Sequence, residues 1–236
     1  MMGLAWSFFN PLCMLSIYTF VFTVVFKARW GASIDGGKTN FAILVFVGLI
    51  VHGLFAECVN RAPTLIISNV NYVKKVIFPL EILPWVAFGS ALFHAAISLI
   101  VLLLAQLLLL HRLPWTAILF PLVLLPLMFT TLGVAWFLAS LGVYLRDIAQ
   151  VTGVFTTILL YVSPIFYPVS ALPPRFGKWL QLNPLTYIIE EGRNTLTLGQ
   201  IPDWEPWLQM LLVSLLVAWG GYAWFQKTRR GFADVL

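Results

Sequence analysis

Charge is what this chain has least of: Asp, Glu, Lys and Arg make up 10% of its 236 residues, against about 25% in a soluble domain. That scarcity excludes an ordinary water-soluble fold. Cysteine is nearly absent as well. Cys13 and Cys58 each lie within or at the end of an apolar run, which suits buried structural thiols and excludes a disulfide framework or a cysteine-rich zinc site. His52, His94 and His111 show no ligand spacing, and there is no H-E-x-x-H stretch, so no metal site is expected. Internal repeats and low-complexity tracts are missing too.

The net charge of +5 and pI near 9.4 do not point to nucleic acid, because the basic residues are scattered and form no basic face with interleaved aromatics. The stretch "GASIDGGKT", Gly31 to Thr39, resembles a phosphate-binding loop only at its end. G-x-x-x-x-G-K-[ST] needs its first glycine where Ala32 stands, and Gly31 comes one residue too early. A glycine-rich turn between two spans is the expectation. The first apolar run lacks a basic n-region and small residues at a cleavage site, and its uncharged length is too great for a signal peptide, so it reads as a retained span.

What the chain does have is apolar length. Hydrophobic residues make up 61% of it and its mean hydropathy is +0.93. At about 20 apolar residues per crossing plus loops, the length suits one membrane domain of about six spans. The fold class expected is an all-α integral membrane protein with spans at residues 4–26, 41–61, 82–110, 115–143, 148–169 and 206–226. The fourth lies in an uncharged run from Leu113 to Leu145 with Pro121 and Pro126 inside it, which a kink or tilted entry accommodates. Trp6, Trp30, Trp85, Trp115, Trp179, Trp204 and Trp207 fall at or near span ends, where amphipathic rings are favoured. Six spans put both termini on one side. The loops on the two sides carry Arg61, Lys74, Lys75, Arg146, Lys227, Arg229 and Arg230 against Lys27, Arg29, Lys38, Arg112, Arg175, Lys178 and Arg193, an even count that leaves the side open.

Two segments between spans are amphipathic. In residues 64–77, "TLIISNVNYVKKVI", Ile66, Ile67, Val70, Val73 and Ile77 fall on one side at 100° per residue and Ser68, Asn71, Tyr72 and Lys75 opposite. That pattern predicts a helix lying in an interface. In residues 170–205, Asn183 suits an N-cap, Pro184 the first helical position and Gly199 a left-handed stop. Leu185, Ile188, Ile189, Gly192 and Leu196 share one face between them.

The adjacent Glu190 and Glu191 project about 100° apart on such a helix and cannot converge on one substrate atom. Glu190 can pair with Arg193 at i+3. No catalytic residue is assigned. Glu57, the most membrane-embedded acid, lies four residues before Arg61, a spacing that favours a salt bridge near the span end over a proton relay. Arg146 and Asp147, in "YLRDIAQ" between the fourth and fifth spans, mark either the membrane boundary or a partner contact. Among the many aromatics, Tyr18, Phe155, Tyr161, Phe166 and Tyr167 are candidates for lining a pore, where aromatic faces could stack on sugar rings.

Four stretches together carry a family resemblance: "GLAWSFFNPLCML", "NVNYVKKVIFPLEILP", "LGVYLRDIAQV" and "YVSPIFYP…LNPLTYIIEEGRNTL". In order and spacing they resemble the membrane subunits of ABC-2-type exporters of lipid-linked polysaccharides such as O-antigen, capsule or teichoic acid. The resemblance implies a homodimer of six-span subunits in the cytoplasmic (inner) membrane of a bacterium, with both termini cytoplasmic, working with two copies of a separate ATPase subunit. ATP and Mg would be bound by that ATPase, and this chain would hold no cofactor and perform no bond chemistry. The segment holding Asn69, Asn71, Tyr72, Lys74 and Lys75 would be the cytoplasmic coupling element against the ATPase, joined by Arg146 and Asp147. Residues 170–205, with Asn183, Pro184, Tyr187, Glu190 and Arg193, would form two short re-entrant helices capping the pore on the extracytoplasmic side. Membrane lipid and a lipid-linked polysaccharide would be the other partners.

Family members usually begin with a longer cytoplasmic stretch containing an amphipathic helix. Met1-Met2 leaves almost no room for it, so a truncated or misassigned start, or the loss of that helix's contacts, is expected. An ABC-2 exporter of a drug or small lipid is the alternative within the same class. An integral-membrane enzyme acting on lipid-linked sugars would need convergent acids or a metal site, and a secondary carrier would need broken spans with midplane ionisable groups. Apart from Glu57, neither pattern is present.

Overall fold

The structure, a computed structural model, describes residues 3–21, 38–74, 78–169, 173, 180 and 183–236. Among these residues every regular element is helical. The α-helices are α1 (Gly3–Thr19), α2 (Lys38–Arg61), α3 (Val70–Lys74), α4 (Ile82–Leu110), α5 (Phe120–Val123), α6 (Leu125–Tyr144), α7 (Ile148–Val162), α8 (Pro184–Arg193), α9 (Trp204–Thr228) and α10 (Phe232–Val235). Among the described residues, four stretches are long and apolar enough to cross a membrane: Phe41–Thr64, Ile82–Leu110, Trp115–Tyr144 and Trp204–Val235. Residues 31–37 of the glycine-rich turn, the end of the expected first span, Lys75, Ile77 and most of residues 170–182 lie outside the described residues.

Proline decides how the apolar runs are cut. In the fourth expected span, Pro114 caps a 3-10 turn over Trp115–Leu119, α5 follows, and α6 starts afresh with Pro126 in its first turn. Proline suits the first turn of a helix, where its missing N–H would have no partner. The fifth expected span ends early: α7 stops at Val162 instead of running to residue 169. Pro164 disfavours helical geometry at Ser163, and the chain turns there.

The amphipathic segment 64–77 also departs from the single helix its periodicity predicts. It forms 3-10 turns at Ala62–Thr64 and Ile67–Asn69 before the short α3. Ser68 donates its hydroxyl to the Thr64 carbonyl at 2.7 Å, and the Asn69 amide donates to the Leu65 carbonyl at 2.8 Å. Side chains that bond their own backbone compete with regular helix in this way. The division of faces survives the break, with Ile66 buried and Ser68, Asn71 and Tyr72 exposed.

The chain divides into two compact units. The first comprises Met1–His52, Phe93–Val123 and Tyr161–Asp203, and the second Gly53–Leu92, Leu124–Leu160 and Trp204–Leu236. In the first, residues 41–47 are buried throughout, and α8 lays its apolar face inward. The second is organised around the crossing of α6 and α9. Gly133 faces Val217 and Ala218 so closely that a Cβ there would stand 2.5 Å from the Val217 carbonyl oxygen, and Gly221 lies against the Gly133 backbone. Small residues let helix backbones meet where burial from water cannot drive association. Trp136 continues the seam, edge-on to Tyr222 at 5.2 Å and to Trp85 at 6.1 Å.

Replacing Gly133 by valine should therefore force α6 and α9 apart at a cost of about 1–3 kcal/mol. A thermal melt of the detergent-solubilised protein should show a lower midpoint for Gly133→Val. Gly220→Ala, whose added methyl meets nothing within 4 Å, should melt as the unaltered protein does.

Candidate functional site

The helix α8 is built as its sequence dictates. Asn183 is extended, and its Oδ1 accepts from the Leu185 N–H at 3.0 Å while Pro184 occupies the first turn. The cap has a second duty, because its Nδ2 donates to Ser163 Oγ at 2.8 Å in the turn after α7. Leu185, Ile188, Ile189 and Leu196 are completely buried. Gly192 fits beneath Phe120 and Val47, where a Cβ would stand 3.1 and 3.2 Å from their side chains. The helix ends in a widened π turn over Asn194–Leu198, closed by Gly199 at φ 70°. Neighbouring side chains serve the carbonyls of that turn. Thr116 donates to Thr195 O at 2.6 Å and Gln106 to Leu196 O at 2.9 Å, as the unpaired carbonyls of a helix C-terminus require.

Arg193 is the polar centre of this unit, with 4% of its side chain exposed. Its Nε donates to Leu44 O at 3.1 Å, one terminal nitrogen to Ile165 O at 2.8 Å, and the other to Glu190 at 3.2 Å. One guanidinium thus ties α8 to α2 and to the turn after α7. Burial lowers its pKa to about 10, Glu190 pulling it back up, so it stays a cation at neutral pH. The pair with Glu190 forms at the spacing the sequence predicts. Its cation is buried and its carboxylate half-exposed. The i+4 step from Ile189 to Arg193 on the apolar face was the signal for this burial.

Glu191 is also buried, 6% exposed. Its Oε1 accepts from Asn194 Nδ2 at 3.3 Å, while Oε2 has no hydrogen-bond partner. Burial raises its pKa above the ordinary carboxylate range, and nearby Asp203 adds to the rise. Tyr187, i−4 from Glu191, donates to Asp203 O at 3.1 Å. Its phenol is raised by burial first and then by Glu191 and Asp203. The two carboxylates diverge: Glu190 is half-exposed and ion-paired with Arg193, while Glu191 is turned inward and accepts from Asn194. Among the described residues no three His, Cys, Asp or Glu side chains converge as a metal site would require.

A second polar surface lies in the other unit. Asn71, Tyr72 and Lys74 on α3 are exposed, and Tyr72 stacks on Phe78 at 4.7 Å. Asn69 is half-buried, its side chain turned back onto Leu65. At the head of this segment Gly142 of α6 lies directly against the Pro63 backbone. Arg146 and Asp147 are exposed in the turn between α6 and α7. From Asp147 an open groove of about 570 Å³ runs along α7, lined by Gln150, Val151, Val154, Phe155 and Ile158.

A family profile described as ABC-2 type transporter matches residues 1–197. The chain belongs to the ABC-2 type transporter family. It is similar along its length to the "O-antigen export system permease protein RfbA" of Myxococcus xanthus, 26% identical over 235 residues, covering 99% of this chain and 87% of that one. Two Klebsiella pneumoniae proteins with the same description are 25% identical over 238 residues and 24% identical over 236.

In this ABC-2 transporter chain the two halves of "YVSPIFYP…LNPLTYIIEEGRNTL" meet in space, through Ser163 with Asn183 and Ile165 with Arg193. Of the pore candidates, Tyr161 is 65% exposed and its ring lies 6.1 Å from that of Phe166. Tyr18 is close enough to Tyr161 for an electrostatic interaction, and Tyr167 donates back to Val162 O at 2.6 Å. Phe155 lies on the α7 groove. Glu57 and Arg61 form the expected pair at 3.4 Å, and Arg61 also reaches Ser90 at 3.1 Å.

Arg193→Met should cost on the order of 2–4 kcal/mol by removing charge-assisted bonds to two carbonyls, and Arg193→Lys should recover little of it because an ammonium lacks the fork. Glu190→Gln should cost less than about 1 kcal/mol. Glu191 makes a pH-dependent prediction. An acid whose folded pKa is raised contributes full stability below its unfolded value, near 4.5, and loses it as pH rises through the folded value. Glu191→Gln should therefore raise the melting temperature at neutral pH and flatten its fall as pH rises above about 4.5.

Proposed function

We propose that this chain is the membrane permease subunit of an ABC exporter that moves a lipid-linked polysaccharide, O-antigen or a capsular polymer, across the bacterial inner membrane. The observation that carries the reading is similarity over 99% of the chain to a protein described as an O-antigen export permease, within a family of ABC-2 type transporters. The chain works as a homodimer of six-span subunits with cytoplasmic termini, and two copies of a separate ATPase supply the energy. Exposed Asn71, Tyr72 and Lys74, with Arg146 and Asp147, make the contact with the ATPase. Lys75, the next residue in the sequence, carries the same charge. The segment between α7 and α9, which contains α8, caps the pore on the extracytoplasmic side. Tyr18, Phe155, Tyr161, Phe166 and Tyr167 offer ring faces to the passing sugars, and the exposure of Tyr161 and Phe155 supports this role.

Reversing the charge of Lys74 tests the coupling reading. In cells lacking their own O-antigen permease and supplied with this chain and its ATPase, Lys74→Glu should reduce ATPase co-purification and surface polymer by about tenfold. Wild-type association and export by that variant would overturn the assignment of α3.

A further inference from the structure

Terminal segments fray unless something ties them down, and the C-terminal tail here is tied in three places. Phe232 is completely buried, its ring 6.1 Å from Tyr144 and edge-on to Phe225 at 5.6 Å. The Tyr144 hydroxyl donates to Thr228 O at 2.9 Å. Gly231 makes room for that phenol, since a Cβ there would stand 2.8 Å from its oxygen. Arg229 reaches the Glu81 carboxylate at 2.9 Å.

Each partner borders the segment that presents Asn71, Tyr72 and Lys74. Tyr144 ends α6, and Gly142 in the last turn of that helix lies against Pro63 at the segment's entrance. Glu81 stands at its exit, immediately before α4, and its carbonyl accepts from Trp136 Nε1 at 3.0 Å. α10 itself contacts α3. The tail therefore contacts the end of α6, which abuts the segment's entrance, the residue at its exit, and its short helix. An ion pair exposed as this one is adds little stability; what it contributes is geometry, holding the exit of the segment to the end of the last span.

We propose that the C-terminal tail, Arg229–Leu236, is a positioning element of energy coupling. Through the Arg229–Glu81 pair and the Phe232 wedge it sets the angle at which α3 meets the ATPase, so that motion of the ATPase passes into α4 and α6. The proposal rests on the reading of α3 as the ATPase contact.

The test compares Glu81→Arg, Arg229→Glu and the doubly reversed chain, each purified with its ATPase and reconstituted, reading polymer exported per ATP hydrolysed. A merely structural role would change yield and melting temperature without changing that ratio. Each single reversal should lower the ratio by about fivefold while the complex still assembles, and the double reversal should bring it back to within about twofold. Glu81→Gln, which removes the charge without reversing it, should lower the ratio by about threefold and keeps the test standing if a reversal reduces yield. A wild-type ratio in the single variants, or a double reversal that assembles without recovering, would overturn the proposal. Lys74→Glu in the same preparation separates the two readings. If it uncouples export while the tail variants do not, only the tail proposal falls. If it leaves assembly and export intact, the coupling reading falls and the tail proposal with it.

Discussion

A guanidinium held among apolar side chains is costly unless each of its faces finds a partner, and the solution found for Arg193 organises the unit around it. Its bonds to Leu44 O, Ile165 O and Glu190 require α8, α2 and the turn after α7 to approach within hydrogen-bond distance. Close approach in turn demands small residues. Gly192 sits under Phe120 and Val47, and Gly48 faces Ile165, where a Cβ would stand 3.2 Å from its side chain. The Asn183–Ser163 bond then closes the same junction from the other end of α8. The π turn follows from the same arrangement, its carbonyls bonded by Thr116 and Gln106 instead of water.

How much of this could be read from residue order depends on the range of each interaction. Asn183 as a cap, Gly199 as a left-handed stop, Glu190 with Arg193 and Glu57 with Arg61 are local, and spacing alone identified them. The prolines told where the fourth apolar run would break. Pro164 carried an equally plain signal for the end of α7, masked by the apolar run continuing past it. The amphipathic segment 64–77 misled because periodicity reports which residues share a side without saying that the backbone between them is regular. Ser68 and Asn69 were on view as residues that compete for backbone carbonyls, yet the alternation of faces remained intact through the break.

Long-range pairs left no comparable trace. Arg193 with Leu44 and Arg229 with Glu81 join residues 149 and 148 positions apart, and one sequence gives no periodic signature for such a meeting. In Arg193 the apolar stripe held a partial clue, since the residue falls four after Ile189 on the buried side. For Arg229 there was none: a basic residue after a last span reads as an interfacial anchor whether or not an acid faces it.

The contrast between these two arginines bears on which parts of the molecule can move. Arg193 is sealed in, and breaking its bonds would leave a buried cation without acceptors, so its junction behaves as a fixed frame on the timescale of transport. Arg229 and Glu81 are 42% and 25% exposed at their side chains, and water can replace either partner at small cost. A contact of that kind can open and re-form without unfolding its surroundings. A transporter that cycles between states needs both reversible contacts and rigid ones. The solvated Arg229–Glu81 pair is of the first kind, and the buried Arg193 guanidinium of the second.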